Sequence, residues 1–74
     1  MKLLSQLKVG QEGVVAEIPG NDSVSVRLLE MGITPGATVK LLGSAPLGDP
    51  LEIEIRGYHL SLRRQEAMLV HLAD

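Results

Sequence analysis

The stretch RLLEMGITPG, Arg27–Gly36, decides the fold of this chain. Val24, Leu28 and Met31 recur at helical spacing, which predicts a short helix with one apolar face. Gly32 follows at once, and a glycine in the left-handed conformation satisfies the last carbonyls of a helix. The stretch therefore predicts a lone helix with a defined stop.

Pro35 and Gly36 suit the central positions of a type II turn, because proline presets φ and glycine accepts a positive φ. The rest of the chain reads as β-structure. The predicted strands span about 13–18, 37–42, 51–56, 59–62 and 67–72. In the first and the last of these strands, the side chains expected to face the core are Val14, Ala16, Ile18, Met68, Val70 and Leu72. The residue that caps the start of the helix is one of three: Asn21, Asp22 or Ser23.

The third and fourth predicted strands form a hairpin. Gly57-Tyr58 suits a type II′ turn, which favours glycine first. That turn sets Glu52 opposite Arg63, an attractive cross-strand pair. The remaining predicted pairs are Arg56–His59, Ile55–Leu60, Glu54–Ser61 and Ile53–Leu62.

Short strands with one helix inserted after the first favour a mainly β fold, a small closed or nearly closed five-stranded barrel of the SH3-like type. The OB-fold is the competing barrel, but it usually needs a longer chain. With 74 residues, the chain is expected to form a single domain over residues 1–74.

Composition narrows the function. The chain has no cysteine, which excludes disulfides and thiolate metal sites. Its net charge is −2 and Tyr58 is its one aromatic residue, so it has neither the basic excess nor the stacking surface of a nucleic-acid binder. It also lacks the run of about 20 apolar residues that spans a bilayer. A soluble cytoplasmic protein is expected.

Three ordered motifs, RLLEMGITPG, APLGDPLEIEIRG and LSLRRQEA, resemble the FeoA family of bacterial ferrous-iron transport proteins. The resemblance runs from about Leu3 to Leu72 and extends to the C-terminal SH3-like domain of iron-dependent repressors. The DNA-binding and metal-binding regions of those repressors have no counterpart here, so the free-standing form is expected. The resemblance implies an SH3-like barrel and a cytoplasmic accessory role in iron(II) uptake. The implied partner is the cytoplasmic portion of FeoB, a membrane transporter with a GTP-binding domain.

Two other function classes stay open beside this one. The first is a small domain that senses or delivers iron(II) or zinc through His59 or His71, the latter beside Asp74. The second is a repressor-type interaction module. Catalysis is not expected, because no serine lies in a nucleophile elbow and neither histidine has an evident orienting partner. No obligatory cofactor is expected either.

Partner binding is the chemistry that the surface residues favour. Leucines left over after the core is assigned mark candidate docking positions, and arginine is favoured at interfaces. The predicted partner-binding residues are Arg27, Leu29, Leu42, Leu47, Arg63, Arg64 and Leu69. The residues assigned to structural turns are Gly32, Pro35, Gly36 and Gly57.

Overall fold

A computed structural model describes residues 2–73 as one antiparallel sheet with two short helices. Its strands are β1 Lys2–Leu3, β2 Glu12–Glu17, β3 Thr38–Ser44, β4 Leu51–Ile55, β5 Tyr58–Leu62 and β6 His71–Leu72. Its helices are α1 Ser23–Glu30, α2 Arg64–Ala67 and one 3-10 turn, Leu4–Gln6. The strand order is β1-β6-β2-β3-β4-β5, so a sixth strand, β1, joins the five expected. No ladder joins β5 to β1 within residues 2–73, which fits a nearly closed barrel.

The apolar side chains of the sheet and helices meet in one core. Leu28 of α1 is fully buried in it, and Val24 and Met31 pack against it, so the predicted helical face is confirmed. The large fully buried side chains are Leu4, Val15, Leu28, Ile33, Val39, Leu51, Ile53, Ile55, Leu62, Val70 and Leu72. Burial of such side chains supplies the main drive for folding.

The two ends of α1 are fixed by hydrogen bonds. Asp22 is the N-cap, and its carboxylate accepts from the backbone N–H of Ser25 at 2.9 Å. At the other end Gly32 has φ +97°, and the N–H groups of Gly32 and Ile33 donate to carbonyls of the last turn. This is the Schellman arrangement of a helix C-terminus. The predicted stop at Gly32 is therefore confirmed.

The turn that follows the helix is also as predicted. Ala37 donates its N–H to the carbonyl of Thr34 at 3.0 Å across Pro35-Gly36, and Gly36 has φ +92°. The chain then enters β3, where Val39 and Leu41 face the core.

The predicted hairpin turn was wrong by one residue. The loop is Arg56-Gly57, and both residues have positive φ (52° and 84°), as a type I′ turn requires. Tyr58 instead begins β5 and lies opposite Ile55. The apolar residues of the two strands still lie opposite one another. Moving the turn by one residue shifts the cross-strand partner of each residue by two positions, so every side chain stays on the same face of the sheet.

Two predicted polar pairs change with that register. Glu52 lies opposite Ser61, whose hydroxyl donates to its carboxylate, rather than opposite Arg63. His59 lies opposite Glu54 rather than Arg56.

A β-bulge overturns the predicted inner face of the first long strand. The pairing of β2 with β6 shifts between Val15 and Glu17. The bulge changes the alternation, so Val15 and Ile18 both point inward while Val14 is 43% exposed and Ala16 is exposed.

The predicted last strand was too long. Residues 64–67 form α2, and the strand itself is only His71–Leu72. Glu66 stabilises the start of α2 by accepting from the backbone N–H of Arg63 at 2.9 Å. Met68, expected inside, is 53% exposed because it follows a helix and not a strand, whereas Val70 and Leu72 are buried as predicted.

The hairpin tip is joined to the C-terminal end of α1. The guanidinium of Arg56 donates to the carbonyl of Gly32 at 3.1 Å and to the hydroxyl of Thr34 at 2.6 Å. The hydroxyl of Tyr58 donates to the carbonyl of Met31 at 2.9 Å. The tyrosine satisfies a carbonyl at the helix end, where carbonyls lack partners within the helix, and the contacts together hold α1 against the sheet.

Candidate partner-binding groove

A groove lies between α1 and α2, with a volume of about 350 Å³. Val24 from α1 and Leu69, just after α2, supply its apolar surface, and both also pack against the core. Its polar lining consists of Arg27, Arg63, Gln65 and Glu66. We call this the α1–α2 groove. It is at the small end of the range of ligand pockets, about 300–1,000 Å³, so it suits one side chain or a short peptide segment.

An ion pair crosses the α1–α2 groove. Arg27 on α1 donates to the carboxylate of Glu66 on α2, and the two side chains are 58% and 17% exposed. The other oxygen of Glu66 accepts from the backbone N–H of Arg63. Glu66 thus has a protein partner on each oxygen, and it fixes the Arg27 guanidinium at the rim.

The Arg63 side chain differs from that of Arg27. Within residues 2–73 it has no hydrogen bond or ion pair, and the residue is exposed. The groove therefore carries two guanidinium groups and one carboxylate, a local excess of one positive charge in a chain of net charge −2.

The structure brings together three of the seven predicted partner-binding residues, Arg27, Arg63 and Leu69. Leu29 lies on the solvent side of α1 at 38% exposure, outside the α1–α2 groove. Leu47 is 97% exposed at the tip of the β3–β4 loop. These two leucines do not line the groove.

Arg64 and Leu42 have roles in the fold that the sequence did not reveal. Arg64 donates its guanidinium to the carbonyls of Gly48 and Ser5, and its backbone N–H to the carboxylate of Asp49. It thereby holds the β3–β4 loop against the N-terminal turn. Leu42 is the residue inserted at a bulge in β3, and it is half-buried instead of facing outward as expected.

Sequence reasoning missed Gln65 and Glu66 as lining residues and placed Val24 only in the core. One local signal was present, the R-x-x-E spacing from Arg63 to Glu66, but arginine is not a typical capping residue.

The two candidate metal-binding histidines lie in separate places. His59 Nε2 is 3.7 Å from Glu54 Oε2, and His71 Nδ1 is 3.9 Å from Glu17 Oε1. His71 Nδ1 is buried and has no hydrogen-bond partner within the described residues. Asp74, the predicted neighbour of His71, lies outside those residues. Across 2–73 no three acidic or histidine side chains converge, whereas zinc sites generally use three or four protein ligands.

The residues that the structure describes include no helix long and apolar enough to cross a bilayer.

Comparison with known proteins identifies the family. The FeoA domain family model matches residues 2–73, nearly the whole chain. The chain belongs to the FeoA family. A curated relative supports this: the Fe(2+) transport protein A/Fe(2+) transporter FeoB fusion protein of Porphyromonas gingivalis is 36% identical over 69 residues. The match covers 93% of this chain and 8% of the fusion protein, so the chain spans only a small part of that relative.

Solved structures confirm the predicted SH3-like fold. The FeoA protein of Chlorobium tepidum has a TM-score of 0.87 and 38% identity, covering 96% of this chain and 68% of that one. The FeoA of Stenotrophomonas maltophilia, complexed with zinc and described as a prokaryotic SH3 domain protein, has a TM-score of 0.86 and 28% identity. That match covers 99% of this chain and 91% of that one.

The predicted similarity to iron-dependent repressors is supported, at the level of fold, by a related class of metal-dependent repressor. A manganese-dependent transcriptional repressor complexed with manganese superimposes with a TM-score of 0.87 at 19% identity. That match covers 97% of this chain and 35% of the repressor chain.

Proposed function

We propose that this FeoA chain is a non-enzymatic accessory protein of ferrous-iron uptake that binds the transporter FeoB and modulates it. The observation that carries the proposal is the Porphyromonas gingivalis fusion, in which a matching segment and FeoB form one polypeptide. Covalent linkage keeps two modules at high effective concentration. A FeoA domain that acts on FeoB also needs a surface through which to bind it.

The α1–α2 groove is the surface that we propose for this contact. It combines an apolar floor with a charged rim, which is the anatomy of protein interfaces. Arg27, Arg63 and Leu69 are the proposed main contacts. Leu29 and Leu47 are proposed as peripheral contacts because both are exposed apolar side chains.

Binding, and not chemistry, is the proposed mode of action. The groove is lined by two arginines, one glutamate, one glutamine and two aliphatic residues, a set suited to recognition. An accessory protein of this kind shifts a transporter only as far as it binds one of the transporter's states more tightly than the other. We therefore propose that this chain favours one conformation of FeoB. The proposed contact lies at the cytoplasmic face, where the family resemblance implies that the partner's GTP-binding domain is found.

The experiment that tests the proposal measures binding of purified FeoA to FeoB from the same organism, in detergent or nanodiscs. Arg63→Glu reverses the charge of a rim arginine, and Lys8→Glu makes the same charge change at an exposed residue outside the groove. We expect Arg63→Glu to weaken binding at least about tenfold, as for a charge reversed at an interface, while Lys8→Glu leaves it nearly unchanged.

GTP hydrolysis by FeoB, measured with and without FeoA, tests modulation separately from binding. A rate or nucleotide affinity that changes with wild-type FeoA and not with Arg63→Glu supports modulation. Absence of any FeoA–FeoB complex under native conditions contradicts the proposal as a whole.

A further inference from the structure

We infer that the α1–α2 groove recognises an acidic-aliphatic peptide segment, in which one aliphatic side chain is flanked by carboxylates. This inference rests on the proposed function for its biological partner, since it names the chemistry of the segment that FeoB would present. Three features of the groove favour such a segment: its apolar floor, the charge of Arg63 and the ion pair that holds Arg27.

The floor selects the aliphatic side chain. Val24 and Leu69 are its apolar residues, and both are aliphatic. No aromatic residue lines the groove, so the stacking grooves that read proline-rich peptides have no counterpart here. A volume of about 350 Å³ accommodates one branched aliphatic side chain and the backbone beside it.

The rim selects the carboxylates. Both oxygens of Glu66 already accept hydrogen bonds from the protein, one from Arg27 and one from the Arg63 backbone. Among residues 2–73, the charge in the groove that has no partner is therefore cationic. Within the same residues the guanidinium of Arg63 uses none of its five N–H donors, and these match a carboxylate in a bidentate geometry.

Glu66 is a positioning residue in this account. It holds Arg27 at the rim but also neutralises part of its charge. Glu66→Gln keeps an oxygen that caps α2 and removes the negative charge. That variant is expected to bind acidic peptide more tightly, which a purely structural role for Glu66 would not produce.

The test is a peptide titration followed by ¹⁵N NMR of the full chain, whose 7.9 kDa mass suits the method. The probe is acetyl-Gly-Asp-Leu-Asp-Gly amide. Matched probes carry Asn in place of both Asp residues, Lys in place of both, or Ala in place of Leu. We expect millimolar binding with shifts centred on Gln65, Glu66 and Leu69, and about two- to fivefold weaker binding of the Asn and Ala probes.

The variants sharpen the result. Arg63→Gln is expected to abolish the preference for Asp over Asn, whereas Lys8→Gln at a site outside the groove retains it. Molar salt should reduce the preference as well, because the rim is exposed.

Three results would overturn the inference: equal binding of the Asp and Asn probes, preferential binding of the Lys probe, or shifts outside the groove. Concentration-dependent shifts at the groove without peptide would assign the groove to a second copy of the chain and would also overturn the inference.

Binding of FeoB is measured separately from binding of the peptide probes. If FeoB binds through the groove but the probes show no acidic preference, the inference fails and the proposed function stands. If the acidic probe binds and FeoB does not, the proposed function fails.

Discussion

The C-terminal end of α1 and the face of α1 toward α2 contact two very different surfaces. At the C-terminal end, Arg56 and Tyr58 of the hairpin donate to the carbonyls of Gly32 and Met31. On the face toward α2, Val24 and Arg27 border an open groove, in which the Arg63 side chain has no hydrogen bond or ion pair among residues 2–73. Arginine thus serves the fold at the helix end, and among these residues the groove leaves the Arg63 guanidinium available for recognition. Polar groups whose hydrogen bonds are all made within the protein indicate a structural role, whereas a guanidinium with available donors beside an apolar floor indicates a binding surface.

The largest effect on stability is expected at the C-terminal end of α1. Gly32→Val adds a Cβ that would lie 2.7 Å from the Tyr58 hydroxyl, at a residue with φ +97°. Because a β-branched residue resists that conformation and the neighbouring hydroxyl must move, we expect a loss of at least about 2 kcal/mol in the free energy of unfolding. Urea denaturation measures it. Stability within experimental error of wild type would show that the helix end is not locked.

Tyr58→Phe removes one hydrogen bond from the same end. The Met31 carbonyl loses its 2.9 Å donor, and we expect a decrease of about 1 kcal/mol in unfolding free energy. Thermal and urea denaturation should agree. An unchanged midpoint would mean that water replaces the tyrosine at no cost.

Asp22→Asn tests the start of the helix through pH. The backbone hydrogen bond from Ser25 lowers the pKa of the Asp22 carboxyl below its usual value. A lowered pKa in the folded state means that the carboxylate stabilises the protein above the unfolded-state pKa, and that this contribution is lost as pH falls through the folded-state pKa. Asparagine caps a helix about as well as aspartate but does not titrate.

We therefore expect equal melting temperatures for Asp22→Asn and wild type at neutral pH, and a smaller acid-induced decrease for the variant. Parallel melting curves from neutral to acidic pH would contradict the role of the Asp22 charge.

The smallest stability effect is expected in the groove. Arg63→Gln removes no side-chain hydrogen bond or ion pair among residues 2–73, so the unfolding free energy should stay within about 0.5 kcal/mol of wild type. A larger loss would mean that Arg63 supports the fold, and the contrast between the two arginines would disappear.

Local patterns predicted part of this structure well. The helix face of Val24, Leu28 and Met31, the stop at Gly32 and the turn at Pro35-Gly36 all depend on neighbours within a few residues, and all are confirmed. The predicted hairpin register was wrong because a turn at Arg56-Gly57 and a turn at Gly57-Tyr58 give equally good apolar pairing. The deciding residue, Arg56, takes a left-handed conformation that arginine rarely adopts.

The site could not be predicted because it depends on distant parts of the chain. Arg27 and Glu66, which border the α1–α2 groove, are 39 residues apart in sequence. Their meeting depends on how α1 and α2 pack against the common core through Val24 and Leu69, and on α2 itself, whose start is stabilised by the backbone N–H of Arg63. Each is a tertiary or backbone effect without a clear side-chain pattern. Sequence reasoning therefore found several rim residues without finding the groove.

Site-specific crosslinking can show which surface of the chain contacts FeoB, because the chain has no cysteine of its own to compete for the probe. Gln65→Cys carries a photoreactive maleimide probe in the groove, and Thr38→Cys carries the same probe at an exposed position outside it. Each labelled protein is mixed with membranes containing FeoB and irradiated. We predict that FeoB is crosslinked from position 65 and not from position 38. Equal crosslinking from both positions, or crosslinking from position 38 alone, would contradict the claim that FeoA acts through the α1–α2 groove.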